Sequence, residues 1–230
     1  MATSARDDLA ANLARIQSGI EAACERSGRD PAGVRLVAAT KSVPPKVIRS
    51  AREAGITEFG ENYVQELGTK REAAPDATWH FIGTLQSHTA HRVAELADVV
   101  QTLTSGRGAL RLARRAAERG RRIPVLIEVD FTGGRTGVAP DSCEAFADEV
   151  ADMAGVELVG LMTLPPLPES PEAARPYFGR LRELLTRVAV RHPGAVELSM
   201  GMSIDYQVAV EEGATMVRIG TALFGERPPA

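Results

Sequence analysis

Lysine is rare in this chain, and one lysine directly follows an apolar segment. Lysine and arginine together number 27, and only Lys41, Lys46 and Lys70 are lysines. Arginine stays protonated, so these three side chains are the candidates for amine chemistry. Lys41 ends the run VAATK and precedes SVPP. A deprotonated lysine amine attacks an aldehyde to form a Schiff base, and burial or a nearby cation favours that form. The alternative is a solvated lysine at a strand end.

Two turns near the end of the sequence have the composition of a phosphate site. The first reads SMGMS at 199–203 and the second reads RIGT at 218–221. Glycine lets backbone N–H groups approach an anion, and serine and threonine hydroxyls add donors. Each turn alone is also consistent with an ordinary helix start. Together they favour a phosphate site.

Two further polar residues stand beside these features. Arg218 lies in the apolar run MVRIG, so we predict that it is partly buried and has a partner. That partner is either a carboxylate, such as Glu61 or Asp130, or a hydrogen-bond acceptor on a ligand. Asn62 follows an apolar segment in FGENYVQE and could bind a ligand hydroxyl. Alternatively, Glu61 or Asn62 starts the next helix.

Other polar motifs do not predict sites. The glycine-rich run at 133–137 is not followed directly by a helix, so it does not predict nucleotide binding. His88 and His91 have no nearby set of carboxylates or cysteines, and we predict no metal site. His80, in the run WHFI, is predicted to be a core histidine.

The elements that position these residues follow from hydrophobic patterns. Eight short segments have the nearly continuous hydrophobicity of parallel strands buried on both faces, and helical patterns separate them. The predicted strands are residues 35–40, 57–60, 78–82, 98–103, 123–130, 156–163, 195–199 and 215–219. An additional amphipathic helix is predicted at 7–26. The order predicts one α/β domain over residues 1–230, a (β/α)₈ TIM barrel, with an open doubly wound sheet as the alternative. Functional residues of such a barrel follow the C-terminal ends of strands.

Composition and charge exclude several classes of protein. The formal net charge is −3, without the basic excess typical of nucleic-acid-binding proteins. No apolar run approaches the roughly 20 residues that span a bilayer, and the N-terminus lacks the apolar region of a secretory signal. Cys24 and Cys143 have no metal-ligand spacing. We therefore expect a cytoplasmic, reduced protein that binds neither nucleic acid nor membrane.

Several longer motifs resemble a known family. The segments VAATKSVP, FGENYVQE, WHFIGTLQS, GLMTLP and LSMGMSIDYQVAVEEGATMVRIGTALFG together look like those of the pyridoxal phosphate homeostasis proteins, over about residues 8–226. The resemblance implies a single barrel like the N-terminal domain of alanine racemase. The chain departs from the family pattern at His88-Thr89, where Asn-Lys is common, and at Ile204, where Asp is common.

The resemblance also implies a cofactor and its site. Pyridoxal 5′-phosphate would be held as a covalent aldimine on Lys41, with Arg218 facing the pyridine nitrogen and Asn62 near the ring substituents. The phosphate would bind the two turns. The residues implied are Lys41, Asn62, Ser199, Gly201, Met202, Ser203, Arg218, Gly220 and Thr221.

The function implied is intracellular homeostasis of pyridoxal phosphate, as a carrier or regulator without catalytic residues. An arginine at the pyridine nitrogen leaves the ring a weak electron sink. Racemases also need a second acid/base, supplied in alanine racemase by an extra domain that we do not expect here, because the sequence ends after the eighth unit. We expect a monomer whose partners are the cofactor and apo-enzymes. The alternatives are a slow amino-acid racemase using Glu61, Tyr63 or Tyr206, and a cofactor-free phosphosugar barrel.

Overall fold

A computed structural model describes the backbone of residues 2–226 and the side chains of residues 8–226. Strands and helices alternate along this part of the chain. The strands are β1 Arg35–Ala39, β2 Glu58–Glu61, β3 Thr78–Phe81, β4 Val99–Leu103, β5 Ile123–Val129, β6 Val156–Thr163, β7 Glu197–Ser199 and β8 Met216–Ile219. The α-helices are α1 Ala2–Ser27, α2 Pro45–Glu53, α3 Val64–Arg71, α4 Ala90–Leu96, α5 Arg107–Glu118, α6 Pro140–Ala151, α7 Arg175–Arg191, α8 Tyr206–Glu211 and α9 Thr221–Phe224.

The eight strands form a closed barrel in sequence order, and every neighbouring pair is parallel. The prediction of a (β/α)₈ barrel is confirmed, and the open-sheet alternative is wrong. All eight predicted strands are present, with ends that differ by one or two residues. The largest difference is in β7, where Ala195 is held in a turn by its N–H bond to the His192 carbonyl, at 2.8 Å, and the strand begins at Glu197.

Helix α1 begins five residues earlier than predicted, at Ala2. Residues 2–6 include no large apolar residue, so hydrophobic spacing does not reveal this part of the helix. Leu9, Leu13, Ile16 and Ile20 are buried, and α1 packs against α8 and α9. Within residues 2–226 no helix combines the length and the apolar character needed to cross a membrane.

The interior of the barrel is only partly apolar. A small cluster of Val37, Leu126, Met162 and Met216 joins opposite sides of the barrel, while the large core lies between the sheet and the helices. Apolar side chains usually fill the interior of such barrels in layers. Here Gln101 contacts Met216, with 3.6 Å between its Nε2 and the sulfur, so part of the interior is polar.

Candidate functional site

The predicted site residues lie in or directly after four strands that are consecutive around the barrel, β7, β8, β1 and β2. Val37 of β1 is paired with Arg218 of β8, and Ala39 of β1 is paired with Gly60 of β2. Parallel strands end at the same rim of a barrel. Closure therefore brings the two turns, Lys41 and Asn62 to one mouth, although they are distant in sequence.

Lys41 lies in a tight turn after β1 and is half-buried. The next residue, Ser42, has a φ of 61°, and its N–H donates to Glu66 Oε2 at 3.2 Å. The Lys41 ammonium lies 5.7 Å from the centre of the Tyr63 ring, within the range of a cation–π contact. Tyr63, at the start of α3, therefore forms one wall for the Lys41 side chain.

Beneath Lys41 lies a buried ion pair that we did not predict. Lys70 of α3, 4% exposed, donates to Glu61 Oε2 at 2.6 Å, to the Thr40 carbonyl at 2.6 Å and to Glu66. Glu61 is fully buried and also accepts from the Thr40 hydroxyl, at 2.8 Å. The signals in the sequence were the scarcity of lysine and the Glu66–Lys70 helical spacing. This cluster fixes the residue that precedes Lys41.

The two predicted phosphate turns contact one another directly. The N–H of Ala222, in the first turn of α9, donates to Ser203 Oγ at 3.1 Å. The Arg218 N–H donates to the Gly201 carbonyl at 2.9 Å. Because Ser203 Oγ accepts here, its own hydrogen can point towards a ligand. The turns thus form one joined surface with a hydroxyl donor.

Asp205 shapes the first of these turns from below. Its Oδ1 accepts from the Met202 N–H at 2.7 Å, so that N–H is already engaged within the protein. Its Oδ2 is buried without a hydrogen-bond partner among residues 8–226. Burial raises the pKa of Asp205, and the hydrogen bond from the Met202 N–H and the charge of Arg218 oppose this shift.

Arg218 is 4% exposed and points into the barrel. Its Nη1 donates to Ser199 Oγ at 2.6 Å, and its Nη2 donates to the Thr163 carbonyl at 2.9 Å. Burial lowers its pKa to about 10, opposed by the charges of Glu128 and Asp205, so the guanidinium stays charged at neutral pH. These two bonds use two of its five N–H donors.

The suggested carboxylate partners of Arg218 are wrong. Glu61 is bound to Lys70 instead. Asp130 accepts from the N–H groups of Thr132 and Arg135, at 2.8 and 2.7 Å. Those bonds also place a protein carboxylate inside the glycine-rich loop at 133–137. The loop therefore folds around a negative charge of its own.

Asn62 follows β2 at the edge of the mouth. A side chain at Gly83 is sterically excluded, because its Cβ would lie 1.9 Å from the Asn62 carbonyl oxygen. Asn62 lines a cleft of about 360 Å³ together with Tyr63 and with His88 and Thr89, where the sequence departs from the family pattern.

The sequence is similar to that of a known family over almost its whole length. The family profile described as alanine racemase, N-terminal domain, matches residues 9–228. A pyridoxal phosphate homeostasis protein of Aquifex aeolicus is 42% identical over 220 residues, 94% of this chain and 96% of the relative. The chain belongs to the pyridoxal phosphate homeostasis protein family. The membership predicted from its motifs is confirmed.

Two further proteins are similar to this chain over nearly their whole length. The Pseudomonas aeruginosa pyridoxal phosphate homeostasis protein is 40% identical, over 95% of this chain and 96% of the relative. The structure of PipY from Synechococcus elongatus, determined with pyridoxal phosphate bound, superposes with a TM-score of 0.84. It is 35% identical and covers 94% of this chain and 100% of that protein.

In this family member, two of the three residues considered as a second acid/base are engaged in contacts within the protein. Glu61 is buried in its ion pair with Lys70. Tyr206 packs under α1, because a Cβ at Gly19 would lie 2.1 Å from its hydroxyl oxygen. Tyr63 remains, half-exposed beside Lys41. A racemase-type mechanism is not favoured by this arrangement.

Gly201→Ala is expected to destabilise the fold and disrupt the first turn. Gly201 has a φ of 90°, and an added Cβ would lie 2.5 Å from the Ala209 Cβ. A non-glycine residue in such a conformation costs about 1–3 kcal/mol before the steric overlap is added. Urea denaturation measures this loss. Gly33→Ala is the control, since nothing lies within 4 Å of its Cβ, and equal midpoints for the two variants would contradict the argument.

Proposed function

We propose that this chain binds pyridoxal 5′-phosphate covalently through Lys41 and serves as a cytoplasmic carrier or regulator of the cofactor, without catalysis. The proposal rests on one observation. Adjacent strands bring the Lys41 amine, the buried Arg218 and the two linked glycine turns to the same mouth of the barrel. The structure of PipY, which has the same fold, contains bound pyridoxal phosphate and so supports the proposal. When bound, the cofactor supplies a reactive aldehyde on an aromatic ring.

Lys41 would provide the covalent link, by condensation of its amine with the aldehyde and loss of water. Its turn is fixed by the Ser42–Glu66 bond on one side and by Lys70 on the Thr40 carbonyl on the other. Because Lys41 is half-exposed, water or an incoming amine could reach the link. That access suits a protein that releases its cofactor, and apo-enzymes are the recipients we propose.

The linked turns would hold the phosphate. The left-handed Gly201 brings the backbone close, and the Ser203 hydroxyl has a hydrogen to donate after accepting from Ala222. Gly220 and Thr221 add the first peptide groups of α9, a position that favours anions. Since the Met202 N–H is engaged by Asp205, the contribution of Met202 is the shape of the turn.

Arg218 would face the pyridine nitrogen, and Asn62 would bind the ring substituents. Arginine has donors and no acceptor, so it can bond an unprotonated ring nitrogen and cannot stabilise a protonated one. Its partners Ser199 and Thr163 lie inside the barrel and fix the plane of the guanidinium. With the ring nitrogen unprotonated, carbanion chemistry is poorly supported, which fits a carrier.

The proposal predicts a strong preference for the phosphorylated cofactor. Purified protein should bind pyridoxal phosphate about 100-fold more tightly than pyridoxal, because charge-assisted hydrogen bonds to the phosphate contribute about 1.5–3 kcal/mol each. Visible absorbance titrations with the two compounds measure this ratio. Ser203→Ala should reduce it about tenfold, from one lost bond.

Other outcomes separate the remaining functions. Equal affinity for pyridoxal and pyridoxal phosphate would exclude the two turns as the phosphate site. A protein that stays colourless and gains no mass after borohydride treatment with pyridoxal phosphate would support the cofactor-free barrel. Exchange of the α-hydrogen of alanine for deuterium, dependent on Lys41, would support the racemase.

A further inference from the structure

A continuous chain of hydrogen bonds runs from Arg218 across the polar part of the barrel interior. Arg218 Nη1 donates to Ser199 Oγ at 2.6 Å, and Ser199 Oγ donates to Gln101 Oε1 at 2.7 Å. Gln101 Nε2 lies 2.9 Å from His80 Nδ1, and His80 Nε2 lies 2.9 Å from Glu58 Oε2. The chain crosses from β8 and β7 to β4, β3 and β2.

With the Gln101 amide oxygen facing Ser199, as the structure places it, only one direction of donation is compatible with all four contacts. Arginine can only donate, so Ser199 accepts from it and has one hydrogen left for Gln101. The Gln101 oxygen is then occupied, and its amide nitrogen donates to His80 Nδ1. His80 must therefore be neutral and carry its hydrogen on Nε2, where the Glu58 carboxylate accepts it.

The charges at the two ends agree with this direction. Burial alone would raise the pKa of Glu58, but the hydrogen bond from His80 and the charge of Arg35 lower it below its usual value. A cation thus stands at the mouth and an anion at the far end. Three neutral groups, Ser199, Gln101 and His80, join them, each fully buried. Buried chains of this kind polarise one another and hold their members rigidly.

We propose that Gln101 and His80 are positioning residues for Arg218: they fix Ser199 as an acceptor and so hold the guanidinium in the plane in which it meets the cofactor. This inference rests on the proposed function, which gives Arg218 its ligand. Neither residue reaches the mouth itself. Without the chain, Ser199 could turn its hydroxyl and Arg218 would lose one of its two fixed contacts.

The first test uses the protein without cofactor. Histidine ¹⁵N NMR should show His80 in the Nε2–H form. The four histidines are His80, fully buried, and His88, His91 and His192 nearer the surface, so the buried signal is separable. A Nδ1–H or doubly protonated His80 would reverse the chain and overturn the proposal.

The second test compares affinities for pyridoxal phosphate. Gln101→Leu breaks the hydrogen-bond chain at its centre and frees the Ser199 hydroxyl to turn. Because the bond between the charged Arg218 and Ser199 is then lost, binding should weaken about tenfold, and the absorption spectrum of the bound cofactor should change. Glu58→Leu, at the far and partly exposed end, should weaken binding about threefold. Met162→Leu is the control, since Met162 is a buried interior residue of the apolar cluster.

The outcomes distinguish this inference from the proposed function. If Gln101→Leu lowers stability but binds pyridoxal phosphate as tightly as Met162→Leu does, with an unchanged absorption spectrum, the hydrogen-bond chain only stabilises the fold and the proposal fails. If Gln101→Leu does not fold, the same comparison is made with Glu58→Leu. If the unaltered protein binds no pyridoxal phosphate, the proposed function itself fails, and the NMR result still reports the direction of the chain.

Discussion

Replacing Lys41 with alanine is expected to abolish the covalent attachment of pyridoxal phosphate. The described chain offers two other lysine amines, and neither can substitute. Lys70 is buried and directs its three hydrogens at Thr40, Glu61 and Glu66, which leaves its nitrogen without a free electron pair. Lys46 is exposed on α2. Residual affinity should fall at least about 100-fold, or about 2.7 kcal/mol.

Borohydride reduction followed by mass spectrometry measures this loss directly. The unaltered protein should gain one cofactor mass, and peptide mapping should place it at Lys41. Lys46→Ala is a matched control that removes an exposed lysine and should keep the full adduct. An adduct of full stoichiometry on Lys41→Ala would show that the link lies elsewhere.

The barrel and the residues at its mouth could be predicted because both depend on local patterns. Parallel strands buried on two faces give continuous apolar segments, and the position after each strand is a fixed place in the barrel. That rule selected Lys41 and Asn62 from the sequence. It also selected the turns at 199–203 and 218–221, whose mutual contact through Ser203 and Ala222 the structure then shows.

Contacts that depend on barrel closure could not be predicted. His80 was correctly placed in the core, yet its partners Gln101 and Glu58 come from other strands and meet it only inside the closed sheet. For the same reason the carboxylates suggested as one alternative for Arg218 are not its partners, and a hydroxyl and a backbone carbonyl bind it. Hydrophobic patterns report which residues are buried, and they do not report which polar groups meet.

The Lys70–Glu61 ion pair is also a contact between polar groups that hydrophobic patterns do not reveal. Breaking this pair is expected to have the largest effect on the stability of the protein. Glu61 is fully buried, so Lys70→Met leaves a carboxylate in the protein interior without its cation. Removing one partner of a buried pair costs about 3–5 kcal/mol. The lost bond to the Thr40 carbonyl should also loosen the turn at Lys41 and weaken cofactor binding.

A double variant separates the stranded charge from the loss of packing. In Lys70→Met with Glu61→Gln, the new amide oxygen can still accept from the Asn62 N–H, which lies 2.7 Å from Glu61 Oε1, and the amide nitrogen can donate to the Thr40 hydroxyl. Since no buried charge remains, the double variant should recover more than half of the lost stability in urea denaturation.

The exposed pair Arg114–Glu118 provides the reference for an ion pair that contributes little. Its atoms are 3.6 Å apart and its side chains are 74% and 51% exposed, so Arg114→Met should change stability by less than about 1 kcal/mol. If Lys70→Met were as mild as Arg114→Met, Glu61 would have to be neutral or solvated after the change. If the double variant were as unstable as Lys70→Met, the lost stability would come from the packing of the lysine side chain. The unpaired charge of Glu61 would then not be the reason that a lysine is needed beneath the turn at Lys41.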